Sequence, residues 1–217
     1  MDKINTLYNT EFTNKLLEHK YIFDEIYEAC NFKFWKGCGS YLFNGTTYEY
    51  CELMYKKQEL LFNSVKTAEN VLEIGTYMGH SILIMLLSNP KLKITCIDIS
   101  DTYTHPAVTI LNKYFNNAIT FIHKDSLSAL KILNDNNCKF DFFHIDGLHD
   151  NYYIEQEFKI VEKLNNNILN NNILKILFDD QDCLIGVQNN INNKYKVIKQ
   201  IIPECKWNNV YFEIQLE

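Results

Sequence analysis

The stretch Val71–Ser81, which reads VLEIGTYMGHS, decides the fold of this chain. A short apolar run ends in two glycines spaced four residues apart, and a second apolar run begins at Ser81. This order is typical of a buried parallel strand, a tight turn and a helix. Gly75 and Gly79 carry no side chain that would keep a ligand from the backbone, and a helix start offers free N–H groups. We therefore predict a ligand-binding turn.

The same stretch argues against two common kinds of nucleotide site. It contains neither Gly-x-Gly-x-x-Gly nor Gly-Lys-Ser/Thr, so it lacks the usual dinucleotide and triphosphate cradles. The carboxylate of Glu73 would repel a pyrophosphate and suits a cationic or hydroxyl-bearing ligand. An NAD-dependent oxidoreductase is therefore disfavoured.

Composition limits the class of partner. The chain has 217 residues, a net charge of −6 and 21 basic residues, all of them lysine. Arginine is the preferred residue for bidentate recognition of phosphates and bases, so its absence in an acidic chain argues against nucleic acid as the main partner. Codon bias of an A/T-rich genome is the simpler explanation for the abundance of Asn, Lys, Ile and Tyr. The length suits one α/β domain with an extension.

Cysteine usage and hydropathy bear on location. The seven cysteines are spread without any Cys-x-x-Cys, which predicts reduced, buried thiols rather than disulfides or a zinc site. Met1–Asn5 has no apolar signal core, and no apolar run reaches membrane-spanning length. We expect a cytoplasmic protein with no membrane partner.

Strand and helix patterns alternate from about residue 70 onward, which is typical of βαβ units. The predicted strands are Asn70–Ile74, Lys93–Ile97, Ala118–His123, Phe140–Ile145 and Ile173–Phe178, with helices beginning near Ser81, Pro106, Ser126 and Tyr153. Val210–Leu216 alternates in polarity and predicts a half-exposed antiparallel strand. The expected fold is α/β, Rossmann-like and doubly wound, with a mostly parallel seven-stranded sheet and an antiparallel C-terminal strand.

The first 54 residues differ from the rest. Helical periodicity at Phe12–Cys30 and Tyr50–Val65 flanks an aromatic stretch, Phe32–Thr47. We interpret residues 1–54 as an N-terminal helical extension that caps the sheet or forms a homodimer contact, and 55–217 as the main domain. The aromatic residues of the extension either stack on a sugar or fill a core, and mixed spacing favours the core.

Polar residues at the carboxyl ends of the strands are the candidate ligand contacts, because ligands bind there in doubly wound sheets. Asp98 ends the second strand and is placed for ribose hydroxyls; the alternative is a helix cap. Asp125 and Ser126 follow the third strand, and either caps a helix or meets a purine.

Two neighbouring strands each deliver carboxylates to the same edge. Asp146 follows one, and Asp179 and Asp180 follow the other. Like charges this close repel unless they are protonated or bridged by a cation, and hard oxygen ligands suit Mg²⁺. His149, three residues past Asp146, is either a general base or an idle surface histidine, whereas His144 is expected in the core.

Together these residues resemble class I S-adenosylmethionine-dependent O-methyltransferases over roughly residues 55–217. Val71–Ser81 is similar to the family's first motif, and Phe142–Tyr153 resembles the metal-dependent subgroup, which includes catechol-type and macrocin-type sugar enzymes. The pair Asp179-Asp180 departs from the Asp-Asn of the catechol-type enzymes.

The resemblance implies a role for each candidate residue. Asp146, Asp179 and Asp180 would bind Mg²⁺, and His149 would act as the base, which favours a sugar-like acceptor over a phenol. The residues that would hold S-adenosylmethionine are Glu73, Gly75, Thr76, Tyr77, Gly79, Ser81, Asp98, Asp125 and Ser126. The predicted function is O-methylation of a sugar, polyol or other small acceptor. The alternatives are a metal-independent methyltransferase and a catalytically idle scaffold of the same fold.

Overall fold

The protein is described by a computed structural model, which covers residues 10–166, 172–180 and 184–216. Met1–Asn5, Cys183 and part of an Asn-rich stretch lie outside these described residues. Within them, seven strands form one sheet, in the order β3-β2-β1-β4-β5-β7-β6. The strands are β1 Asn70–Ile74, β2 Lys93–Asp98, β3 Ile119–His123, β4 Phe142–Ile145, β5 Ile173–Phe178, β6 Lys196–Ile201 and β7 Val210–Gln215.

Strands β1 to β5 pair in parallel. From β1 the strands are added on one side of the sheet up to β3, and the chain then returns to add β4 and β5 on the other side of β1. The strand order therefore switches between β1 and β4. The predicted fold class, α/β and Rossmann-like, is confirmed. Such a switch in strand order leaves a crevice at the carboxyl ends of the two central strands, where ligands bind in this architecture.

Helices cover both faces of the sheet. They are α1 Glu11–Glu18, α2 Lys20–Ala29, α3 Tyr55–Ser64, α4 His80–Ser88, α5 Asp101–Tyr114, α6 Ser126–Asp135, α7 Asn151–Leu164 and α8 Ile185–Lys194. One apolar cluster joins α1 to α5 with the sheet, and a second joins α6 to α8 with it. The N-terminal helices therefore share a core with the sheet. None of the described helices is both long and apolar enough to cross a membrane.

Strand β7 differs from its sequence interpretation. It is antiparallel as predicted, but it lies between β5 and β6, so most of it is buried instead of half-exposed. The edge position belongs to β6, whose side chains are largely exposed and which no apolar run had marked.

Helix α5 begins earlier than predicted. Its first residue is Asp101, with Ser100 at the N-cap position, and Pro106 lies inside the helix. Asp101 in the first turn complements the helix dipole, whereas the side chain of Ser100 makes no capping hydrogen bond.

Some of the cysteines and some of the aromatic residues of the extension are buried, and others are exposed. All six cysteines of the described part are free, but only Cys30, Cys51 and Cys96 are buried, whereas Cys38 is exposed. Among the extension's aromatic residues, Tyr41 and Phe43 belong to the core, as the spacing favoured, while Trp35 is 52% exposed.

Candidate functional site

The turn after β1 is shaped by the neighbouring strand. Gly75 has φ +80°, and a Cβ built on it would lie 1.9 Å from the backbone oxygen of Asp146. Gly79, at the N-cap of α4 with φ +66°, faces Leu111 and Ala107 instead. Only glycine avoids both the strain and the contact at Gly75. Both glycines were predicted to make room for a ligand, whereas in the structure a Cβ on either one would meet protein atoms.

Glu73 lies beneath this turn, fully buried. Its Oε1 accepts a hydrogen bond from Ser81 Oγ at 2.6 Å and lies 2.9 Å from His144 Nδ1. Its Oε2 accepts a hydrogen bond from Thr76 Oγ1 at 2.9 Å. The carboxylate thus links β1, the turn and α4 through hydrogen bonds. Thr76 and Ser81 line a cavity at this end of the sheet, and Glu73 lies behind them.

Asp98, at the end of β2, holds the turn from the other side. Its Oδ2 accepts hydrogen bonds from the backbone N–H groups of Thr76 at 2.8 Å and Tyr77 at 2.7 Å, and Oδ1 accepts one from Ser100 N at 2.7 Å. A carboxylate has about four lone-pair positions, so Asp98 keeps capacity for a ligand hydroxyl.

Asp125 is the N-cap of α6 and accepts a hydrogen bond from Ser128 N at 2.9 Å, which lowers the pKa of its carboxyl group. Of the two roles left open by the sequence, the cap is therefore present. Asp125 and Ser126 also line the cavity, so the cap does not exclude contact with a ligand.

At the ends of β4 and β5, a histidine bridges two carboxylates. His149 Nε2 lies 3.4 Å from Asp146 Oδ1, and its Nδ1 lies 3.0 Å from Asp180 Oδ2. The hydrogen bonds to Asp146 and then Asp180 raise the pKa of His149 to about 11. Burial, and then the charge of Asp179, raise the pKa of Asp146 to about 7. His149 is thus a cation here, and the Asp146 carboxyl group titrates near neutral pH.

The third carboxylate of this edge has a different cationic partner. Lys57 Nζ, from α3, lies 2.8 Å from both Asp179 oxygens, and Tyr41 OH donates a hydrogen bond to Oδ1 at 3.0 Å. Burial lowers the pKa of Lys57, but the charges of Asp179 and Asp146 raise it more, so the net shift is upward. Neither Lys57 nor Tyr41 was identified from the sequence, because no local pattern marks either of them.

A buried chain of polar contacts joins the two halves of the site. His144, fully buried as predicted, lies 2.9 Å from Glu73 through Nδ1 and 2.9 Å from Tyr41 OH through Nε2. Because Tyr41 donates its proton to Asp179, we assign Nε2–H of His144 as the donor to Tyr41. Burial lowers the pKa of His144, but the hydrogen bond to Glu73 and its charge raise it more. This series of polar contacts therefore links Glu73 to Asp179 through His144 and Tyr41.

These groups surround a single cavity of about 1020 Å³. Its volume is at the upper end of the roughly 300–1,000 Å³ typical of small-molecule sites. Residues 36–41 of the extension form one wall. Of the predicted site residues, those that line the cavity are Gly75, Thr76, Tyr77, Ser81, Asp98, Asp125, Ser126, Asp146, His149, Asp179 and Asp180; Glu73 and Gly79 lie behind it.

Glu157, on α7, is a buried carboxyl group that the sequence analysis did not single out. It is 0% exposed, and neither oxygen makes a hydrogen bond of acceptable geometry with the described residues, although Ser126 is near enough to oppose the pKa shift. Burial raises its pKa from 4.5 to about 7. The folded protein therefore holds this proton more tightly than the unfolded chain does.

We expect Glu157→Gln to relieve a pH-dependent loss of stability. Both states are protonated below pH 4.5; between pH 4.5 and 7 the unfolded chain ionises first, so the wild type loses roughly 2–3 kcal/mol relative to the variant. Urea unfolding at pH 5 and pH 8 measures this. Glu28→Gln, at an exposed position, is the control and should show no such difference. Equal pH profiles for wild type and Glu157→Gln would contradict the prediction.

Comparison with known proteins gives the family-level result. A sequence profile described as O-methyltransferase matches residues 55–182, more than half of the chain. A protein of Arabidopsis thaliana named as a caffeoyl-CoA O-methyltransferase is 33% identical over 102 residues, covering 45% of this chain and 44% of its own length. Tapetum-specific methyltransferase 1 of the same plant is 30% identical over 100 residues, covering 44% and 43%. The chain thus spans less than half the length of these curated relatives.

The fold has solved counterparts. The O-methyltransferase from Bacillus cereus in complex with SAH aligns over 90% of this chain and 91% of its own, with a TM-score of 0.60 and 16% identity. At this identity, the likeness concerns the fold.

Proposed function

Because the chain belongs to the O-methyltransferase family, we propose that it transfers the methyl group of S-adenosylmethionine to a hydroxyl group of a small acceptor. One observation carries this proposal. A single cavity is lined both by the β1–α4 turn with Asp98 and by Asp146 with His149. A methyl donor and an acceptor bound in it would meet without leaving the protein, and proximity of this kind can contribute on the order of 7–11 kcal/mol to catalysis.

The donor is proposed to lie along the turn. Asp98 has one lone-pair position left for a ribose hydroxyl, and Asp125 and Ser126 line the cavity, where they are placed to contact the adenine ring. The Bacillus cereus protein of the same fold was solved with SAH, the product of this cofactor, which supports the assignment.

The acceptor is proposed to lie beside Asp146. Its hydroxyl oxygen attacks the methyl carbon, so that a C–O bond forms while the C–S bond breaks, and the electron pair of that bond stays on sulfur. The hydroxyl proton passes to the hydrogen-bonded Asp146–His149 pair. His149 is protonated in the described arrangement, so Asp146 is the member of the pair that is able to take the proton. An acid–base group with a pKa near the working pH is the most effective.

Magnesium was predicted at Asp146, Asp179 and Asp180. As arranged, these side chains do not fit the ion: Lys57 is 2.8 Å from both oxygens of Asp179, and His149 lies between the other two. Among the described residues, no group of three or more His, Cys, Asp or Glu side chains is placed to hold a metal. Two single positive charges 4 Å apart repel each other by about 4 kcal/mol at an effective dielectric of 20. A doubly charged ion at that distance from the Lys57 ammonium group would be repelled by about twice as much.

A polyhydroxylated acceptor such as a sugar is our proposal for the substrate class. The cavity combines charged groups at Asp146 and Asp180 with the aromatic rings of Tyr77 and Tyr153. Hydroxyl-rich rings use both kinds of contact. A phenolic acceptor is the alternative, and the name of the caffeoyl-CoA relative favours it.

The extension forms part of the cavity wall, so we propose that it serves as a cap; a homodimer contact is the other proposal for it.

Calorimetry with S-adenosylmethionine and S-adenosylhomocysteine tests the proposal, followed by mass spectrometry of sugar and phenol panels after incubation. We expect both ligands to bind, and Asp98→Asn to weaken binding at least tenfold, because a charged hydrogen-bond acceptor contributes about 1.5–3 kcal/mol. Asp101→Asn, at an exposed position nearby, should bind normally. A folded wild-type protein that binds neither ligand would instead be an idle scaffold.

A further inference from the structure

Resting on the proposed function, a second proposal concerns the cation beside Asp179. We propose that the Lys57 ammonium group is the fixed cation of the acceptor site, in the place where a divalent metal ion would otherwise bind Asp179, so that methyl transfer by this chain needs no metal. The cation that pairs with the Asp179 carboxylate is thus a side chain of the protein itself.

Lys57 has the position that this role requires. Its Nζ lies 2.8 Å from each oxygen of Asp179, and the two side chains are only 4% and 7% exposed. The ammonium also lies 4.5 Å from the centre of the Tyr41 ring, whose face attracts a cation. Lys57 therefore has a carboxylate and an aromatic ring as partners within a buried site.

The backbone around Lys57 is anchored as well. Asn209 Nδ2 donates a hydrogen bond to the backbone oxygen of Lys57 at 3.4 Å and to Tyr41 OH at 3.2 Å. The next residue, Gln58, is 0% exposed and donates a hydrogen bond to the backbone oxygen of Tyr41 at 2.6 Å. Helix α3 and the segment that carries Tyr41 are thus tied together, which fixes the backbone from which the Lys57 side chain reaches Asp179.

Each carboxylate at this edge is in contact with a side-chain cation. Three carboxylates, Asp146, Asp179 and Asp180, face two cations: Lys57 contacts Asp179, and His149 contacts the other two. Bridging by a cation is what so close a group of carboxylates requires. A metal ion at Asp179 would have to displace a buried ammonium group from it.

Lys57 also lines the cavity. An ammonium group has three N–H donors, and Asp179 takes at most two of them. The remaining donor is free to bind the acceptor oxygen and to orient it toward the methyl group. Lys57 keeps its proton throughout, since the proton of the acceptor passes to the Asp146–His149 pair.

Titration with Mn²⁺, followed by electron paramagnetic resonance and calorimetry, tests the proposal without an acceptor. The comparison uses wild type, Lys57→Met and Lys56→Met, the last at the exposed neighbouring position. We expect weak Mn²⁺ binding to the wild type and to Lys56→Met, and binding at least about tenfold tighter to Lys57→Met, because removal of the ammonium frees Asp179 and lifts its repulsion. Tight binding of one Mn²⁺ by the wild type, lost in Asp146→Asn, would overturn the proposal.

Stability provides a second readout. Lys57→Met leaves a buried carboxylate unpaired and should lower the thermal midpoint by about 5–10 °C. Mn²⁺ should raise that midpoint again in this variant and leave the wild type unchanged. If Lys57→Met does not fold, Lys57→Met/Asp179→Asn, which removes both charges, should fold and bind Mn²⁺ no more tightly than the wild type does; tighter Mn²⁺ binding by this double variant than by the wild type would count against the proposal.

Activity distinguishes this proposal from the proposed function. With an acceptor from the panels, wild-type turnover should persist after dialysis against EDTA, and loss of turnover that Mg²⁺ restores would overturn the role of Lys57. Failure of the proposed function would be seen in a different measurement, as loss of S-adenosylmethionine binding. A protein that binds no S-adenosylmethionine would still give the Mn²⁺ results above.

Discussion

Gly75→Ala is expected to destabilise the protein by several kcal/mol and to abolish binding of S-adenosylmethionine. Gly75 has φ +80°, where an L-residue is strained by about 1–2 kcal/mol. A Cβ there would also lie 1.9 Å from the backbone oxygen of Asp146. Asp146 N donates a hydrogen bond to Ile74 O at 2.7 Å, so the added methyl group would separate the ends of β1 and β4. Urea unfolding and calorimetry measure the two effects.

Gly37→Ala is the matched control for this prediction. Gly37 has a similar φ of +85°, but a Cβ there would meet no atom within 4 Å. It should therefore show only the conformational cost, about 1–2 kcal/mol. Equal losses in the two variants would mean that the contact between β1 and β4 contributes nothing.

Removal of Asp146 or His149 should abolish turnover while cofactor binding survives. In the proposed reaction, the pair takes the proton of the acceptor, and general base catalysis is typically worth 10²–10⁴-fold. Both residues follow β4, whereas Asp98 ends β2, so Asp146→Ala and His149→Ala should leave the hydrogen bonds of Asp98 in place and bind S-adenosylmethionine with unchanged affinity. Turnover of an acceptor from the panels and calorimetry on the same samples provide the two measurements.

His105→Ala is the control, because His105 is a 70% exposed histidine on α5 and should be replaceable without effect. The proposed proton path is wrong if His149→Ala and Asp146→Ala both keep more than about a tenth of wild-type turnover. A parallel loss of cofactor binding would instead place these residues in the donor half of the site.

The parallel strands were predictable because each is an apolar run between turn signals. Asn70–Ile74 and Ile173–Phe178 have the predicted bounds, and the carboxylates that follow the strands reach one edge of the sheet as its topology requires. Strand β6 was not predictable in this way, since an exposed edge strand needs no apolar run.

The partners of the site residues were not predictable. Lys57 contacts Asp179 across 122 positions of the chain, and its helix shows nothing to distinguish it from the neighbouring Lys56. Likewise, Gly75 was identified as special, but the backbone that requires a glycine there belongs to β4, a distant segment.

The sequence by itself determined the strand, turn and helix around Gly75, and the edge of the sheet at which Asp98, Asp146 and Asp179 would meet. These features depend on hydrophobic periodicity and turn residues, which act between near neighbours in the chain. Only the tertiary structure decided which cation neutralises each carboxylate. Electrostatic pairing depends on distance through space, and that distance exists only once α3 and the ends of β4 and β5 have come together in the folded chain.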